Sequence, residues 1–404
     1  MRQTWRWFGP EDRVTVTDAR QAGAEGLVSA LYHIPPGEVW SREAITGWQQ
    51  AASVLPDGRQ SGLAWEVVES LPVSEAIKTQ TGDWRTHLGA WTQSLENLAA
   101  CGLEVVCYNF MPILDWTRTE HARRLDHGGT AMAFDLVDFA IFDIHLLARD
   151  GAERDFDAST VAAAKSRVAA MSDAEQRQLV SNIIAGLPGT VEHWTLDSLR
   201  PQLARYAGLD TERFRRHHFD FLEAVVPTAE RLGLRLCCHP DDPPFPLLGL
   251  PKVMSTEADY TRMLAAVDSP ANGMTFCSGS LGTRGDNDLP GMAARLGDRI
   301  HFAHLRNVTR YGSSVPNGFL EDDHLGGQID MVAVVRALLL EEKRRRAAGR
   351  ADWQIPMRPD HGHELLDDLQ RGARPGYPAI GRLKGLAELR GVMHALEPAI
   401  SGDD

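Results

Sequence analysis

Short apolar segments alternate along the chain with longer segments in which apolar residues recur every three or four positions. Most of the short segments are bounded by Gly, Pro or Asp, which is typical of strands buried on both faces of a parallel sheet. We predict strands at Leu27–Ile34, Leu63–Val68, Leu103–Phe110, Leu234–His239, Met274–Cys277, Arg299–Leu305 and Gln354–Arg358. Between them the longer segments predict helices, as at Arg85–Ala100, Tyr260–Val267 and Met331–Arg346. Strands that alternate with helices indicate an α/β fold with a parallel sheet.

The seven strands and their helices favour a (β/α)8 TIM barrel, and we expect the eighth strand near Gly376–Ile380. The alternation stops between about residues 115 and 228, where the run Ala158–Ile184 is rich in helix formers. This stretch is therefore predicted to be a mostly helical insertion into a single barrel domain that covers residues 1–404. A doubly wound open sheet is the alternative, but the G-x-G-x-x-G motif of dinucleotide binding does not follow an early strand.

Composition then narrows the functional classes. The chain has 404 residues, with 42 Lys and Arg against 55 Asp and Glu, and its formal net charge of −13 disfavours nucleic acid as a partner. No apolar run reaches the roughly 18 residues that a membrane-spanning helix needs. The first residues lack the apolar segment of a signal peptide, so we expect a cytoplasmic protein. The five cysteines are odd in number and include no C-x-x-C pair, so a disulfide framework is not expected.

The ends of the later predicted strands carry candidate metal ligands. Working side chains of a (β/α)8 barrel lie at the C-terminal ends of its strands, and four successive ends here provide His239, Cys277, His304 and Asp360. The intervals between them are 38, 27 and 56 residues, and the first two fit single βα units of about 30 residues. The Gly-, Asn- and Asp-rich stretch 308–330 supplies the extra loop that the third interval needs. Because one His at a strand end is most often structural, the prediction depends on the four occurring together.

Strand alternation adds cations to this group. Successive side chains of a strand point to opposite faces, so Arg306 shares the face of His304, and Arg358 shares the face of Asp360. A positive charge therefore lies beside two of the proposed ligands. This arrangement suits an anionic substrate that binds to the metal.

Longer motifs extend over nearly the whole chain. They are Arg6-Trp7-Phe8-Gly9-Pro10, Leu31-Tyr32-His33-Ile34-Pro35, Gly37-Glu38-Val39-Trp40, Tyr108-Asn109-Phe110-Met111-Pro112, Asp115-Trp116-Thr117-Arg118-Thr119, Cys238-His239-Pro240-Asp241-Asp242-Pro243-Pro244, Phe276-Cys277-Ser278-Gly279-Ser280-Leu281-Gly282, His304-Leu305-Arg306-Asn307-Val308, Arg358-Pro359-Asp360-His361-Gly362-His363, Gly376-Tyr377-Pro378 and Ile380-Gly381-Arg382-Leu383-Lys384-Gly385. Through these motifs the sequence resembles the D-mannonate dehydratases of the UxuA type.

The resemblance implies a xylose-isomerase-like TIM barrel and a hydro-lyase (carbon–oxygen lyase) that turns D-mannonate into 2-keto-3-deoxy-D-gluconate and water. That reaction belongs to the hexuronate branch that breaks down glucuronate. The resemblance also implies one divalent metal per subunit, Mn(II) or Fe(II), whose ligands correspond to His239, Cys277, His304 and Asp360. A catalytic His follows the Asp ligand and corresponds to His361, and a catalytic Tyr on the next Gly-rich loop corresponds to Tyr377. Ligand chemistry alone does not select these metals, because a thiolate with two imidazoles also suits zinc.

Two groups of residues are predicted to contact the substrate. Arg306 and Arg358 would donate charge-assisted hydrogen bonds to the carboxylate of the sugar acid. Other candidates lie in the family-like motifs or near proposed strand ends and their loops, and a structural role is the alternative for each of them. These candidates are His33, Asn109, Lys252, Arg284 and Asn307.

Several alternatives stay open from the sequence. It does not decide which of His361 and Tyr377 is the base and which is the acid. A dehydratase of a related aldonate, a metal-dependent sugar isomerase on the same barrel and a non-catalytic sugar-acid-binding protein are the rival functions. We expect a homo-oligomer, dimer or tetramer, that acts on a small sugar acid and binds neither nucleic acid nor membrane.

Overall fold

The computed structural model describes residues 1–55, 57–114, 116–186 and 194–401. Asp115 opens both the predicted insertion and one of the family-like motifs, and it lies outside the described residues. Residues 187–193 of the predicted insertion also lie outside them. Among the described residues, no helix is both long enough and apolar enough to cross a membrane.

Twelve strands occur in the described part of the chain. They are β1 (Arg2–Arg6), β2 (Gly26–Ser29), β3 (Trp65–Glu69), β4 (Val105–Tyr108), β5 (Glu120–Arg124), β6 (Thr130–Phe134), β7 (Arg235–Cys238), β8 (Asn272–Cys277), β9 (Ile300–His304), β10 (Asn307–Arg310), β11 (Phe319–Asp322) and β12 (Pro356–Arg358). Eight of them form a closed barrel in the order β1-β12-β9-β8-β7-β4-β3-β2, and neighbouring barrel strands are parallel. The prediction of a (β/α)8 barrel is confirmed.

Helices connect these strands. They are α1 (Val16–Gln21), α2 (Arg42–Ser53), α3 (Glu75–Thr79), α4 (Trp84–Ala100), α5 (Leu136–Ala140), α6 (Ala158–Ala170), α7 (Asp173–Ile184), α8 (Leu196–Ala204), α9 (Thr211–Leu232), α10 (Glu257–Ala266), α11 (Ser278–Leu281), α12 (Leu289–Arg295), α13 (Met331–Ala347), α14 (Asp368–Arg371) and α15 (Ala379–Ser401). A π-helix spans Ile141–Leu146, and two short 3-10 helices span Ala152–Asp155 and Gly297–Arg299. The run that predicted one helical stretch is two helices, α6 and α7, because Ser172 and Glu175 form a capping box that starts the second.

The eighth barrel strand is β1, so its predicted position near Gly376–Ile380 was wrong. The sequence of β1, RQTWR, hides the strand because it has no apolar run, although Trp5 is buried against the barrel. Gly376 instead has a positive φ of 78° in a loop, and Pro378 directly precedes α15. A proline cannot donate a hydrogen bond to a sheet ladder, and its fixed φ suits the start of a helix.

The stretch between β4 and β7 contains strands as well as helices. The hairpin β5–β6 joins β10 and β11 in a four-stranded antiparallel sheet, in the order β10-β11-β6-β5, that we call the accessory sheet. Phe319 of β11 pairs with Phe134 of β6, so the accessory sheet connects two loops that leave different barrel strands. Helix α9 packs on α4 and β7 and is the outer helix that follows β4. It ends at Gly233, whose φ of 72° turns the chain into β7.

The barrel interior is filled by a layer of mostly small apolar side chains. This layer consists of Val28, Val67, Val105, Cys107, Cys237 and Phe302. Because alternate residues of a strand share a face, the residues two positions after Val67, Cys237 and Phe302 stand above the layer. Glu69, His239 and His304 occupy such positions at the C-terminal end of the barrel. The fold thus brings polar side chains together above this apolar layer.

Two buried histidines make the stability of the fold depend on pH. His218 stacks on Phe110 with a centroid distance of 4.4 Å, and its Nε2 lies 3.1 Å from Tyr108 Oη. Neither ring nitrogen of His301 has a hydrogen-bond partner among the described residues. Burial lowers the pKa of both imidazoles to about 3. An unfolded chain would protonate them near pH 6.5, so stability is full above that pH and falls as the pH drops toward 3.

We expect His301→Leu to reduce this acid sensitivity. At pH 5 the buried neutral imidazole costs the folded state about 2 kcal/mol relative to pH 7.5, and the variant has no imidazole to protonate. Urea unfolding at both pH values measures the free energies of unfolding. His394→Leu is the matched control, because the side chain of His394 is 72% exposed. An equal loss of stability in His301→Leu and in the wild type would contradict the prediction.

Candidate metal centre and active site

Four donor side chains meet at the C-terminal end of the barrel. His239 follows β7, Cys277 ends β8, His304 ends β9 and Asp360 follows β12. One donor atom from each of His239, Cys277 and His304 lies within 4.8 Å of the other two. Asp360 lies next to this group of three, since its Oδ2 is 3.7 Å from Cys277 Sγ and its Oδ1 is 4.0 Å from His304 Nδ1.

The spacing and the protonation of these donors fit a divalent metal. Bonds of about 2.0–2.3 Å to one ion place tetrahedral donors roughly 3.3–3.8 Å apart, and His239 Nε2 lies 3.2 Å from His304 Nδ1. His239 Nδ1 donates a hydrogen bond to the Pro240 carbonyl at 2.7 Å, which leaves Nε2 free of hydrogen and directed at the other donors. Burial lowers the pKa of His239, which favours the neutral imidazole that a metal binds.

Asp360 reaches the site through an unusual backbone conformation. Its φ of 63° is left-handed, a region that costs a non-glycine residue about 1–3 kcal/mol. With this turn both Asp360 and the next residue, His361, line the same pocket, although neighbours in a regular strand would diverge. Arg358 Nη1 lies 2.5 Å from Asp360 Oδ1 and holds the carboxylate in place. Burial opposes ionisation, but Arg358 and the other nearby cations keep the pKa of Asp360 well below its usual range.

The buried carboxylate of Glu69 lies beside the imidazole of His304. Glu69 Oε2 at the end of β3 lies 3.4 Å from His304 Nε2, which leaves Nδ1 to face the other donors. Glu69 also accepts hydrogen bonds from Arg358 Nε at 2.9 Å and from Arg6 Nη1 at 2.9 Å. Burial alone would raise the pKa of Glu69, but Arg358 and Arg6 hold it well below its usual range. Glu69 therefore carries a negative charge beside the imidazole at neutral pH.

His361 and Tyr377 face each other across the pocket. His361 Nε2 is 3.2 Å from Tyr377 Oη, and Arg6 Nη1 donates to the same oxygen at 3.0 Å. Burial raises the pKa of Tyr377, and the charges of Arg6 and Arg358 only partly offset this effect. The phenol therefore holds its proton at neutral pH, next to a guanidinium that would stabilise the phenolate.

A second group of buried charged side chains lies around Asp242, which also lines the pocket. Arg306 Nη2 donates to Asp242 Oδ2 at 2.8 Å, and Arg118 Nη1 donates to Asp242 Oδ1 at 2.8 Å. Although burial favours the neutral acid, Arg118 and Arg306 hold the pKa of Asp242 well below its usual range. Arg306 and Arg118 also contact Glu321 of β11.

The pocket includes three of the predicted substrate contacts. Its lining consists of Arg6, Glu69, Asn109, Met111, Trp116, His239, Asp242, Arg306, Arg358, Asp360, His361 and Tyr377. Arg306, Arg358 and Asn109 are thus brought together with the proposed ligands and catalytic pair.

The remaining four candidates lie outside that lining. Asn307 uses its Nδ2 to hold the carbonyls of His324 and Ile329, both at 3.0 Å, and therefore fixes the loop after β9. Three more side chains face other surroundings. Arg284 pairs with Asp286 at 2.7 Å, Lys252 Nζ is 4.0 Å from Asp241 Oδ1, and the exposed His33 packs 5.7 Å from the Trp48 ring.

Five charged residues of the site were not predicted from the sequence: Arg6, Glu69, Arg118, Asp242 and Glu321. Arg118 and Asp242 lie in family-like motifs, but nothing in those motifs marks them as residues of the site. Arg6 opens the first family-like motif, but it lies in a strand that was not recognised. Glu69 directly follows the predicted strand Leu63–Val68, and alternation with Val67 could have placed it inside the barrel. Glu321 lies in the stretch 308–330, which was interpreted only as a loop, and no local signal marks it.

Comparisons with known proteins agree on one family. A family model described as D-mannonate dehydratase (UxuA) matches residues 1–401. The chain is 57% identical over 402 residues to a mannonate dehydratase of Rhizobium meliloti (strain 1021), covering 100% of this chain and 98% of that protein. It is 57% identical over 396 residues to mannonate dehydratase 1 of Agrobacterium fabrum (strain C58 / ATCC 33970), covering 98% and 97%. The crystal structure of mannonate dehydratase from Streptococcus suis serotype2 superposes with a TM-score of 0.74 at 29% identity, covering 99% of this chain and 94% of that chain.

We expect Cys277→Ala to lose most of the bound divalent metal, because it removes one of the four converging donors. Elemental analysis of the purified, metal-reconstituted protein measures the stoichiometry. Cys237→Ala is the matched control, since Cys237 is equally buried but lies in the apolar layer below the site. Equal metal content in both variants would show that Cys277 is not a ligand.

Proposed function

The chain belongs to the D-mannonate dehydratase family (UxuA), and we propose that the reaction takes place in the pocket at the C-terminal end of the barrel. Its activity is that of a mannonate dehydratase, a hydro-lyase that removes water from D-mannonate. The observation that carries the assignment to this pocket is the meeting of three donors within 4.8 Å beside a His–Tyr pair.

The reaction requires a proton to leave C2 and hydroxide to leave C3 of the sugar acid. The C2 proton is weakly acidic because the neighbouring carboxylate already carries a negative charge. A divalent metal held by His239, Cys277, His304 and Asp360 would supply Lewis acidity and orient the carboxylate and the C2 hydroxyl. Arg306 and Arg358 line the same buried pocket, where each is paired with two carboxylates, so they form fixed charge pairs around the reacting atoms.

The direction of the hydrogen bonds divides the roles of the catalytic pair. Arg6 can only donate, so Tyr377 Oη accepts from it and directs its own hydrogen at His361 Nε2. His361 Nε2 is then the acceptor that takes the C2 proton, and Tyr377 gives its proton to the departing C3 hydroxyl, which leaves as water. The proton on His361 afterwards returns to the Tyr377 oxygen. The enol that remains takes up a proton at C3 and releases the proton of its C2 hydroxyl, which gives 2-keto-3-deoxy-D-gluconate.

We propose Mn(II) or Fe(II), one ion per subunit, as the working metal. The carboxylate of Asp360 supports a hard divalent ion, while the thiolate and the imidazoles also suit zinc. Reconstitution with Mn(II), Fe(II) or Zn(II) and measurement of turnover at equal metal occupancy separates the three.

We further propose a cytoplasmic homo-oligomer, dimer or tetramer, that serves hexuronate (glucuronate) catabolism. All five cysteines are free, and a reducing compartment would keep the Cys277 thiol available as a ligand. Leu325, Leu366, Leu369 and Leu383 are exposed apolar side chains of the kind that a contact between subunits would bury. Light scattering on the metal-loaded protein measures the oligomeric state.

A product assay separates this function from its rivals. Metal-loaded protein is expected to form a 2-keto acid from D-mannonate, but neither from D-gluconate nor by interconversion of aldose and ketose sugars. A 2-keto acid formed faster from D-gluconate would instead indicate a dehydratase of a related aldonate. D-Mannonate that binds without turnover in fully loaded protein would indicate a binding protein.

We expect Tyr377→Phe to lower kcat by about 100-fold or more while metal content stays unchanged, because the leaving hydroxyl loses its proton donor. Tyr260→Phe is the matched control, since this buried phenol donates to the Cys238 carbonyl at 3.2 Å and is not part of the pocket lining. Steady-state kinetics on D-mannonate and elemental analysis test both variants. Equal kcat values in the two would remove Tyr377 from the reaction.

A further inference from the structure

We propose that Glu321 is a positioning residue that fixes the hydrogen of His361 on Nδ1 and so leaves Nε2 as the proton acceptor in the pocket. This inference rests on the proposed function, in which His361 takes the C2 proton. Glu321 lies on β11 of the accessory sheet and reaches the site from outside the barrel. It contacts His361 from the side opposite Tyr377.

The two carboxylate oxygens of Glu321 have different partners. Oε1 accepts from Arg118 Nε at 2.8 Å and Nη2 at 2.7 Å, and from Arg306 Nη1 at 3.1 Å. Oε2 lies 2.7 Å from His361 Nδ1, the only hydrogen-bond partner it has among the described residues. Burial favours the neutral acid, but Arg306, His361 and Arg118 lower the pKa of Glu321 to about 2. Glu321 is therefore a carboxylate that can only accept.

His361 Nδ1 has two competing neighbours. Glu321 Oε2 can only accept, whereas Arg306 Nη1, also at 2.7 Å, can only donate. Arg306 Nη1 has another acceptor in Glu321 Oε1, but Oε2 depends on the imidazole for a hydrogen. The arrangement that satisfies every atom places the hydrogen on Nδ1 and directs it at Glu321.

The hydrogen bonds that connect Arg6 with Glu321 then all have the same donor-to-acceptor direction. Arg6 donates to Tyr377, Tyr377 donates to His361 Nε2, and His361 Nδ1 donates to Glu321. A donor-only group begins the series and an acceptor-only group ends it, so the hydrogen on each intermediate atom is determined. In the opposite tautomer, Nε2 would carry a hydrogen and could not accept one from the substrate.

Glu321→Gln tests the role with almost no change in shape. The position of Oε1 faces three arginine donors, so the carbonyl oxygen of the glutamine must occupy it. The amide nitrogen then faces His361 Nδ1 and donates to it, which moves the imidazole hydrogen to Nε2. Glu321→Asp keeps an acceptor-only carboxylate and serves as the conservative variant.

We expect Glu321→Gln in the metal-loaded enzyme to lower kcat for D-mannonate by about 100-fold or more, with KM and metal content within about twofold of wild type. Glu321→Asp should retain more of kcat than Glu321→Gln. Glu341→Gln, which removes a carboxylate 3% exposed and paired with Arg345 far from the site, should leave kcat unchanged. Wild-type kcat in Glu321→Gln would overturn the proposal, as would a raised KM at constant kcat, a loss of metal, or a lower kcat in Glu321→Asp than in Glu321→Gln.

A second measurement applies if Glu321→Gln fails to fold. The 15N shifts of the His361 ring, in wild-type protein loaded with a diamagnetic divalent ion, report which nitrogen is protonated, and His361→Asn identifies the signals. A protonated Nδ1 with an unprotonated Nε2 supports the proposal, and the reverse overturns it. Formation of a 2-keto acid by the wild type is followed in parallel. Its absence would refute the proposed function, whereas an active wild type beside an equally active Glu321→Gln would refute only the role of Glu321.

Discussion

The pairing of buried charge governs the C-terminal end of the barrel. Four arginines there are at most 2% exposed, and four carboxylates meet them: the arginines are Arg6, Arg118, Arg306 and Arg358, and the carboxylates are Glu69, Asp242, Glu321 and Asp360. An unpaired charge in such surroundings would cost several kcal/mol, so each side chain is held where its partners require it. The positions of the proposed metal ligands and of the catalytic pair follow from this constraint.

The charges form two groups with separate tasks. In the first group, Arg6 and Arg358 pair with Glu69, and Glu69 Oε2 lies 3.4 Å from His304 Nε2. Arg306 belongs to the second group and contacts both Asp242 and Glu321. Asp360 lies between them, 2.5 Å from Arg358 and 3.5 Å from Arg306 Nε. The two groups therefore share one carboxylate, and that carboxylate is a proposed metal ligand.

The sequence predicted the barrel strands and the site residues that lie at the ends of these strands. Apolar runs identified seven of the eight barrel strands, because a doubly buried strand must be apolar throughout. His239, Cys277, His304 and Asp360 were found since each directly ends or follows such a run. The strand β1 escaped because three of its five residues are charged or amide side chains.

Pairings between distant segments could not be predicted in the same way. The accessory sheet depends on β11 meeting β6, and no periodicity in either segment indicates its partner. Glu321 was missed for this reason, and Arg6 was missed along with its strand. The strand-end rule found side chains that the barrel itself presents, but not those that another layer brings to it.

The accessory sheet also divides the two capacities of the site between two layers of the fold. The proposed metal donors belong to barrel strands and the residues directly after them, whereas Glu321 reaches His361 through the pairing of the loops that follow β4 and β9. The barrel by itself presents the proposed metal donors, but not the carboxylate that contacts the imidazole. The capacity to hold an ion therefore depends on the barrel strands, whereas the capacity to move a proton depends also on the accessory sheet.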